Sequence, residues 1–181
     1  MISGLNAEVE GILQVAKLMC IAARTAPKAR GIDNIITGII YGDELKKLAN
    51  KMRELAEEYG AFFKRDANNV EASVAVVLIG VKASKGIGIN CGACGYSSCK
   101  QFESKRVEYE KAYRGPVCVI EAINLGIAVS SAVKIASMMN VDNRIMHTVG
   151  VAARKLGLID AEIALGIPLS AKGKNIYFDR K

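Results

Sequence analysis

The chain has 181 residues, 51% of them hydrophobic, and a net charge of +7. That length suits one domain with a substantial core, which aliphatic side chains must build because tryptophan is absent and only 6% of residues are aromatic. The cations are interspersed with acids, as in Asp43-Glu44-Leu45-Lys46-Lys47, with no block of like charge and no basic stretch interleaved with aromatics. This argues against nucleic acid as a partner. No leader and no apolar run of membrane-spanning length is read, so the expected setting is cytoplasmic, with no membrane partner.

In chain order, Asn6 to Arg24 predicts a helix, with Val9, Ile12, Leu13, Ala16, Leu18, Met19 and Ala23 mostly at three- and four-residue steps, ended by Pro27. The β-branched run Asn34 to Tyr41 predicts a buried strand. Asp43 is placed as the cap of a second helix, lined by Leu45, Leu48, Ala49, Met52, Leu55 and Ala56 and ending near Gly60. Ser73 to Val81 is hydrophobic without interruption and predicts a central strand covered on both faces. Lys82 to Asn90 is a polar, Gly-rich connector, and a short helix is expected from Ser98 to about Tyr109, carrying Lys100, Lys105 and Arg106.

After Pro116-Val117-Cys118, a helix apolar nearly all round is expected from Val119 to Met139, as a buried spine or a dimer contact. Val141-Asp142-Asn143 reads as a break and cap for a helix running to about Leu156, stopped by Gly157. Ala161 to Ile167 predicts a last core strand closed by Pro168, and Asn175 to Phe178 is strand-like. The sum is an α+β fold: a mixed sheet sandwiched by helices, one domain over 1–181 with a cysteine-rich insertion at 82–118.

The chemistry lies in four of the five cysteines. Cys91, Cys94 and Cys99 form a C-x2-C-x4-C run, and Cys118 follows after eighteen residues. Four thiolates converging from a Gly-containing loop and one distant position suit a 4Fe–4S cluster, with one cysteine per iron. Gly92 and Gly95 give the loop access to positive φ. A four-cysteine zinc site is the rival reading, although zinc sites usually pair two C-x2-C units and here the third and fourth cysteines stand singly. Disulfides fit poorly with an odd cysteine count and a chain of this length. Cys20 lies in the apolar stretch Leu18-Met19-Cys20-Ile21-Ala22 and reads as a small buried hydrophobe.

Elsewhere the signals are bland. His147, the single histidine, reads as a helix residue, Asp142-Asn143-Arg144 as a helix start, Gly86-Ile87-Gly88 as too short for a phosphate loop, and Tyr96 as packing beside the cysteines.

Two stretches resemble nitroreductases: Ala22-Ala23-Arg24-Thr25-Ala26-Pro27-Lys28 leading to Asp33-Asn34-Ile35, and the ending Ala164-Leu165-Gly166-Ile167-Pro168. Nearly end to end, the chain is similar to ferredoxin-domain-containing proteins of unknown function. That likeness is carried by Ala26-Pro27-Lys28 with Gly31 and Asp33, the Cys91–Cys99 loop, Asn124-Leu125-Gly126-Ile127-Ala128 and Val141-Asp142-Asn143-Arg144-Ile145-Met146. The loop also resembles the 4Fe–4S domain of membrane electron-transport complex subunits, placing Cys91, Cys94, Cys99 and Cys118 on its ligands, with Val119 where such motifs often carry proline. The nitroreductase likeness implies FMN at a homodimer interface. The N-terminal Arg-Arg-Ser-x-Arg phosphate grip of that family is absent here. Arg24, Lys28 and Arg30, or Lys172, Lys174 and Arg180 in the tail, are the substitutes for contacting the flavin phosphate.

The function expected is therefore that of a 4Fe–4S redox protein, most simply a homodimer, exchanging electrons with a partner protein or a small-molecule acceptor. A flavin-linked oxidoreductase is its extension. The alternative is a non-catalytic binding or sensing protein with a structural cluster or a zinc site.

Overall fold

The computed structural model describes residues 1–178. Helix α1 (Gly4–Thr25) begins at Ser3, whose hydroxyl accepts from the Asn6 N–H at 3.3 Å. Its far end is closed by the Lys28 ammonium, which donates to the carbonyls of Ala23 and Arg24. A 3-10 turn (Ala29–Gly31) leads into strand β1 (Ile35–Tyr41). Gly42, at φ +64°, turns the chain into α2 (Asp43–Tyr59). Asp43 is thus the first helical residue and not the cap. With Glu44 it puts negative charge at the positive end of the helix dipole.

Helix α3 (Phe62–Glu71) was not anticipated; it buries Phe63, Ala67 and Val70 at steps of four and three. The Phe63 ring stacks on Tyr59 at 5.3 Å. Strand β2 (Ala75–Val81) is buried along its whole length, as its unbroken apolar run requires. The chain then leaves the sheet for α4 (Cys99–Lys105) and a small hairpin, β3 (Tyr109–Glu110) with β4 (Arg114–Gly115). The polar helix thus ends at Lys105, and the hairpin takes the place of its expected last turn. The chain returns through α5 (Val119–Met138), β5 (Asp142–Asn143), α6 (His147–Lys155) and β6 (Ile163–Ser170).

The main sheet runs β1-β2-β6-β5. The α+β class and the helix–sheet–helix layering are those expected; in detail every pairing is antiparallel rather than mixed. One face, with Val77, Ile79, Val81, Ile167 and Leu169, packs on α1 and α5. The other, with Ile40, Val76, Leu78 and Ala164, packs on α2, α3 and α6.

Three expectations are corrected here. Residues 142–143 form a strand rather than a helix cap, and α6 starts only at His147. Strand β6 runs through Pro168. The β5–β6 register (Asn143 with Leu169) resumes at Met146 with Gly166, and the ladder is broken opposite Pro168. Gly166, of the same strand parity, exchanges both bonds with Met146, so the N–H that Pro168 lacks faces that break and β2 loses nothing. Residues 175–178 form turns instead of a strand. Tyr177 is buried there, its hydroxyl 2.8 Å from that of Ser73.

Among the described helices α5 is long and apolar enough, by length and composition, to cross a membrane, contrary to the expectation that no stretch reaches that length. Its only charged residues are Glu121 and Lys134. Its inner face, including Leu125, Ala128, Val129 and Ala132, builds the core against α1 and the sheet.

Candidate metal centre

The segment 82–118 is tied down where it leaves and re-enters the domain. Ala83 donates its N–H to the Glu162 carboxyl at 2.7 Å, and its carbonyl accepts from the Cys118 N–H at 2.8 Å. Glu162, almost buried beside β6, thereby holds the chain at the point where Cys118 is presented. The Arg114 guanidinium reaches Asp160, while Arg154 of α6 donates to the carbonyls of Ala161 and Ala112 and to Glu110, fastening the hairpin. Hydrogen bonds from Lys82 and Arg114 hold the Asp160 carboxyl below its ordinary range.

Between these anchors Cys91, Cys94, Cys99 and Cys118 line one narrow recess. Cys91 is exposed, Cys94 and Cys99 are half-buried, and Cys118 is buried. Gly92 and Gly95 both have positive φ, +74° and +86°, and the Gly95 N–H closes a turn on the Gly92 carbonyl at 2.9 Å. Asn90, also at positive φ, accepts from the Cys99 N–H at 2.9 Å and so fixes one wall of the loop to the other. Ser98 caps α4 by accepting from the Gln101 N–H, which leaves Cys99 as the first helical residue. A methyl group added at Gly86 would stand 2.8 Å from the Cys99 sulfur. Ile87, Phe102 and Cys118 form a small apolar cluster at the recess, with Tyr96 edge-on to Phe102 at 5.6 Å. Tyr96 is accordingly a packing residue.

Cys118 sits at the N-cap of the twenty-residue α5. The recess lining holds four sulfurs and no histidine or carboxyl group, a donor set for soft metals. Among the described residues no three His, Cys, Asp or Glu side chains are gathered as a ready-made site for one metal ion. A four-sulfur donor set suits an iron–sulfur cluster and a four-cysteine zinc site alike. Cys20 lies outside this set, and burial pushes its thiol up, which keeps it unreactive.

A second polar feature adjoins the first turn of α5. Glu121 has no exposed surface. Its two carboxyl oxygens accept from the side-chain amides of Asn34 (2.6 Å) and Asn124 (3.0 Å). The Asn124 oxygen accepts in turn from the Ala29 N–H at 3.0 Å. The network therefore clamps the 3-10 turn and β1 onto the helix that begins at Cys118. Replacing Glu121 with alanine strands the buried amide donor of Asn124 and the half-buried one of Asn34 and should cost about 1–4 kcal/mol, read from chemical denaturation. Glu121→Gln, which puts a donor toward one of those amides, should be intermediate.

The cations nominated for a flavin phosphate are engaged within the chain. Arg24 pairs with Asp33 and donates to the Ile35 carbonyl at 2.7 Å. Burial alone would raise the Asp33 carboxyl, but hydrogen bonds from Arg24 and the Ile35 N–H, together with Lys28, hold it below its ordinary range. The Lys28 side chain is only 4% exposed and caps α1. Arg30, at φ +57°, donates to the Ile87 carbonyl at 2.7 Å and braces the connector to the cysteine loop. Lys172 is exposed, Lys174 is exposed and has an interaction of its own, and Arg180 lies outside the described residues. His147 is exposed, its ring against Phe62 and Phe63. Arg144 holds the Tyr177 carbonyl at 2.7 Å and lies over the Phe178 ring, so the 142–144 corner anchors the tail.

These features define a nitroreductase-fold protein with an added four-cysteine centre. The fold is shared with the FMN-dependent nitroreductase NfnB of Mycobacterium smegmatis, solved with NADPH (TM-score 0.55, 9% identity, 89% of this chain and 78% of that one). It is shared as well with a nitroreductase with bound FMN from Desulfitobacterium hafniense (0.53, 11%, 96% and 80%). Against the NADPH:FMN oxidoreductase of Vibrio harveyi the TM-score is 0.53 at 14% identity, and this chain spans 60% of that protein's length. At such identities the likeness is one of fold.

A family model described as an uncharacterized protein containing a ferredoxin domain matches residues 114–180, and one for a putative Fe–S cluster matches 88–113. An Archaeoglobus fulgidus protein described as uncharacterized is 47% identical over 171 residues, 94% of this chain and 92% of its own. The chain belongs to this family of ferredoxin-domain-containing proteins. The two models divide the cysteines, three in the first stretch and Cys118 in the second.

Proposed function

We propose that the chain is a redox protein that binds a 4Fe–4S cluster through Cys91, Cys94, Cys99 and Cys118. The observation that carries this reading is the convergence of four cysteines, from a glycine-hinged loop and two helix starts, on one recess. When bound, the cluster supplies reversible one-electron chemistry. The residues around it hold and shield it. Asn90 and Ser98 fix the Cys99 backbone, Ala83 and Glu162 fix Cys118, and Ile87 and Phe102 keep water from the inner wall. The exposed Cys91 marks the side open to an electron donor or acceptor.

The same reading places the protein in the cytoplasm, where thiols stay reduced, and pairs two chains through the outer face of α5, where Ile123 and Met138 are exposed. FMN enters through the fold neighbours. Since Arg24, Lys28 and Arg30 are engaged, a flavin phosphate would draw its donors from elsewhere in the dimer.

The test is anaerobic purification followed by the visible spectrum and iron, sulfide and zinc analysis of one sample. A broad band near about 400 nm with about four irons and four sulfides per chain is the expected result. Flavin released on denaturation would extend the reading to a flavin-linked oxidoreductase. A colourless protein with one zinc would overturn it.

A further inference from the structure

The segment that carries the cysteines is charged unlike the rest of the chain. Residues 82–118 hold seven basic side chains and three acidic ones, so a segment of about a fifth of the residues holds more than half of the net charge of +7. Three of the seven are neutralised: Lys82 and Arg114 by Asp160, and Arg106 by Glu108. Two of the three acids are ion-paired, and the third is hydrogen-bonded to the backbone. Glu103 accepts from the Gly86 N–H, and Glu110 is paired with Arg154 and Lys155. Lys85, Lys100, Lys105 and Lys111 are all exposed, and among the described residues none of them makes an ion pair.

Two of these lysines flank residues of the recess wall: Lys85 precedes Gly86 and Lys100 follows Cys99. The Gly86–Glu103 bond holds the connector that bears Lys85 against α4, which bears Lys100 and Lys105. The same segment exposes large apolar side chains, Ile89 (44%), Val107 (82%) and Tyr109 (70%). A few exposed apolar groups within a rim of unpaired like charges is the make-up of a small, transient, electrostatically steered interface.

We propose that this cysteine-bearing face docks an acidic electron-carrier protein, with Lys85, Lys100, Lys105 and Lys111 as the steering charges. The inference deepens the redox reading above and rests on it for the identity of the partner as an electron carrier. The docking itself depends only on residues of this chain. Unpaired lysines favour a partner whose own surface is rich in carboxylates, and such pairing raises the association rate and weakens as salt screens it over about 10 Å at 0.1 M.

The experiment is binding of an acidic plant-type 2Fe–2S ferredoxin to the anaerobically purified protein, measured by biolayer interferometry at rising salt. A basic cytochrome c is run as the opposite charge. The affinity for ferredoxin should fall at least about tenfold between about 20 and 200 mM salt, with no comparable binding of cytochrome c. The triple variant Lys85→Glu, Lys100→Glu, Lys105→Glu should bind at least about tenfold more weakly. A control reversing three exposed lysines elsewhere, Lys17, Lys46 and Lys47, should stay within about threefold of the unmodified protein.

Equal losses in the two triple variants would reduce the effect to bulk charge and overturn the proposal. Salt-insensitive binding, no binding of ferredoxin, or equal binding of cytochrome c would overturn it as well. Should the charge-reversed variant fold poorly, Lys85→Gln, Lys100→Gln, Lys105→Gln takes its place, with a loss of at least about threefold expected and an unchanged affinity overturning the proposal. Failure of the redox reading shows separately, as a metal-centre spectrum that dithionite leaves unchanged, and it does not alter the binding curves.

Discussion

Replacing Cys118 with serine should strip the protein of its iron, from about four atoms per chain to below one, and bleach the band near about 400 nm. On the proposed reading Cys118 is the one ligand supplied from outside the loop, so the other three cysteines would be left holding one side of the cluster. The serine hydroxyl is a harder, less acidic donor than a thiolate and is poorly matched to iron in a sulfide core. Its site is only 6% exposed and is walled by Ile87 and Phe102, so the new hydroxyl also pays a desolvation penalty of about 1–3 kcal/mol. Cys20→Ala is the matched control. That thiol lies in α1, away from the recess, and its removal should leave iron, sulfide and spectrum unchanged. Equal iron content in the two variants would remove Cys118 from the ligand set. Zinc lost in parallel with Cys118 would point to the mononuclear reading.

The parts of this architecture legible in the sequence are those whose signals are local. The cysteine spacing named the recess because all but one of its ligands lie within nine residues. The unbroken run of β2 announced a central strand, and the apolar periodicity of α2 matched its buried face; in α1 it found Ile12, Ala16, Met19 and Ala23 but missed Val15, and Val9, Leu13 and Leu18 are only half-buried. Where the determinant is distant, the sequence is silent. Glu121 and Asn124 stand out only as two polar residues on an otherwise apolar helix. Their partners Asn34 and Ala29 come from 87 and 95 positions away, so a reading of the helix alone cannot tell a satisfied buried carboxyl from a solvated one.

Helix α3 leaves little trace in the sequence because it follows α2 after a single Gly60–Ala61 corner, is only ten residues long, and has just three apolar residues, Phe63, Ala67 and Val70, among its four buried positions. Pro168 reads as a strand end because proline removes a ladder donor. The break in the β5 ladder opposite it is a tertiary fact. The same limit applied to the flavin cations: Arg24, Lys28 and Arg30 are unassigned charges in the sequence and engaged groups in the fold.

Gly150→Ala should be the most damaging single methyl group that can be added to the scaffold. Helix α6 lies against β6 with Gly150 over the strand backbone. A Cβ there would stand 1.8 Å from the Ala164 carbonyl oxygen and 2.3 Å from its carbon. Across the same contact a Cβ on Gly166 would meet Val149 at 2.0 Å, so neither side has room to yield. Overpacking a core usually costs about 1–3 kcal/mol, when flexible side chains can turn away. Here the obstacle is the backbone of a strand hydrogen-bonded on both edges, so the cost should exceed about 3 kcal/mol and lower the melting temperature by roughly 6–12 °C or more. Gly11→Ala in α1 gives the contrast. That position faces open space, and alanine should stabilise the helix by up to about 1 kcal/mol. The damage at Gly150 should also reach the cysteine recess. Displacing α6 moves Arg154, which ties the hairpin of the cluster segment to Ala161 and Glu110. Iron retention after a fixed time in air should therefore fall in Gly150→Ala and stay unchanged in Gly11→Ala. A Gly150→Ala protein as stable as the parent would mean that α6 and β6 can separate without loss.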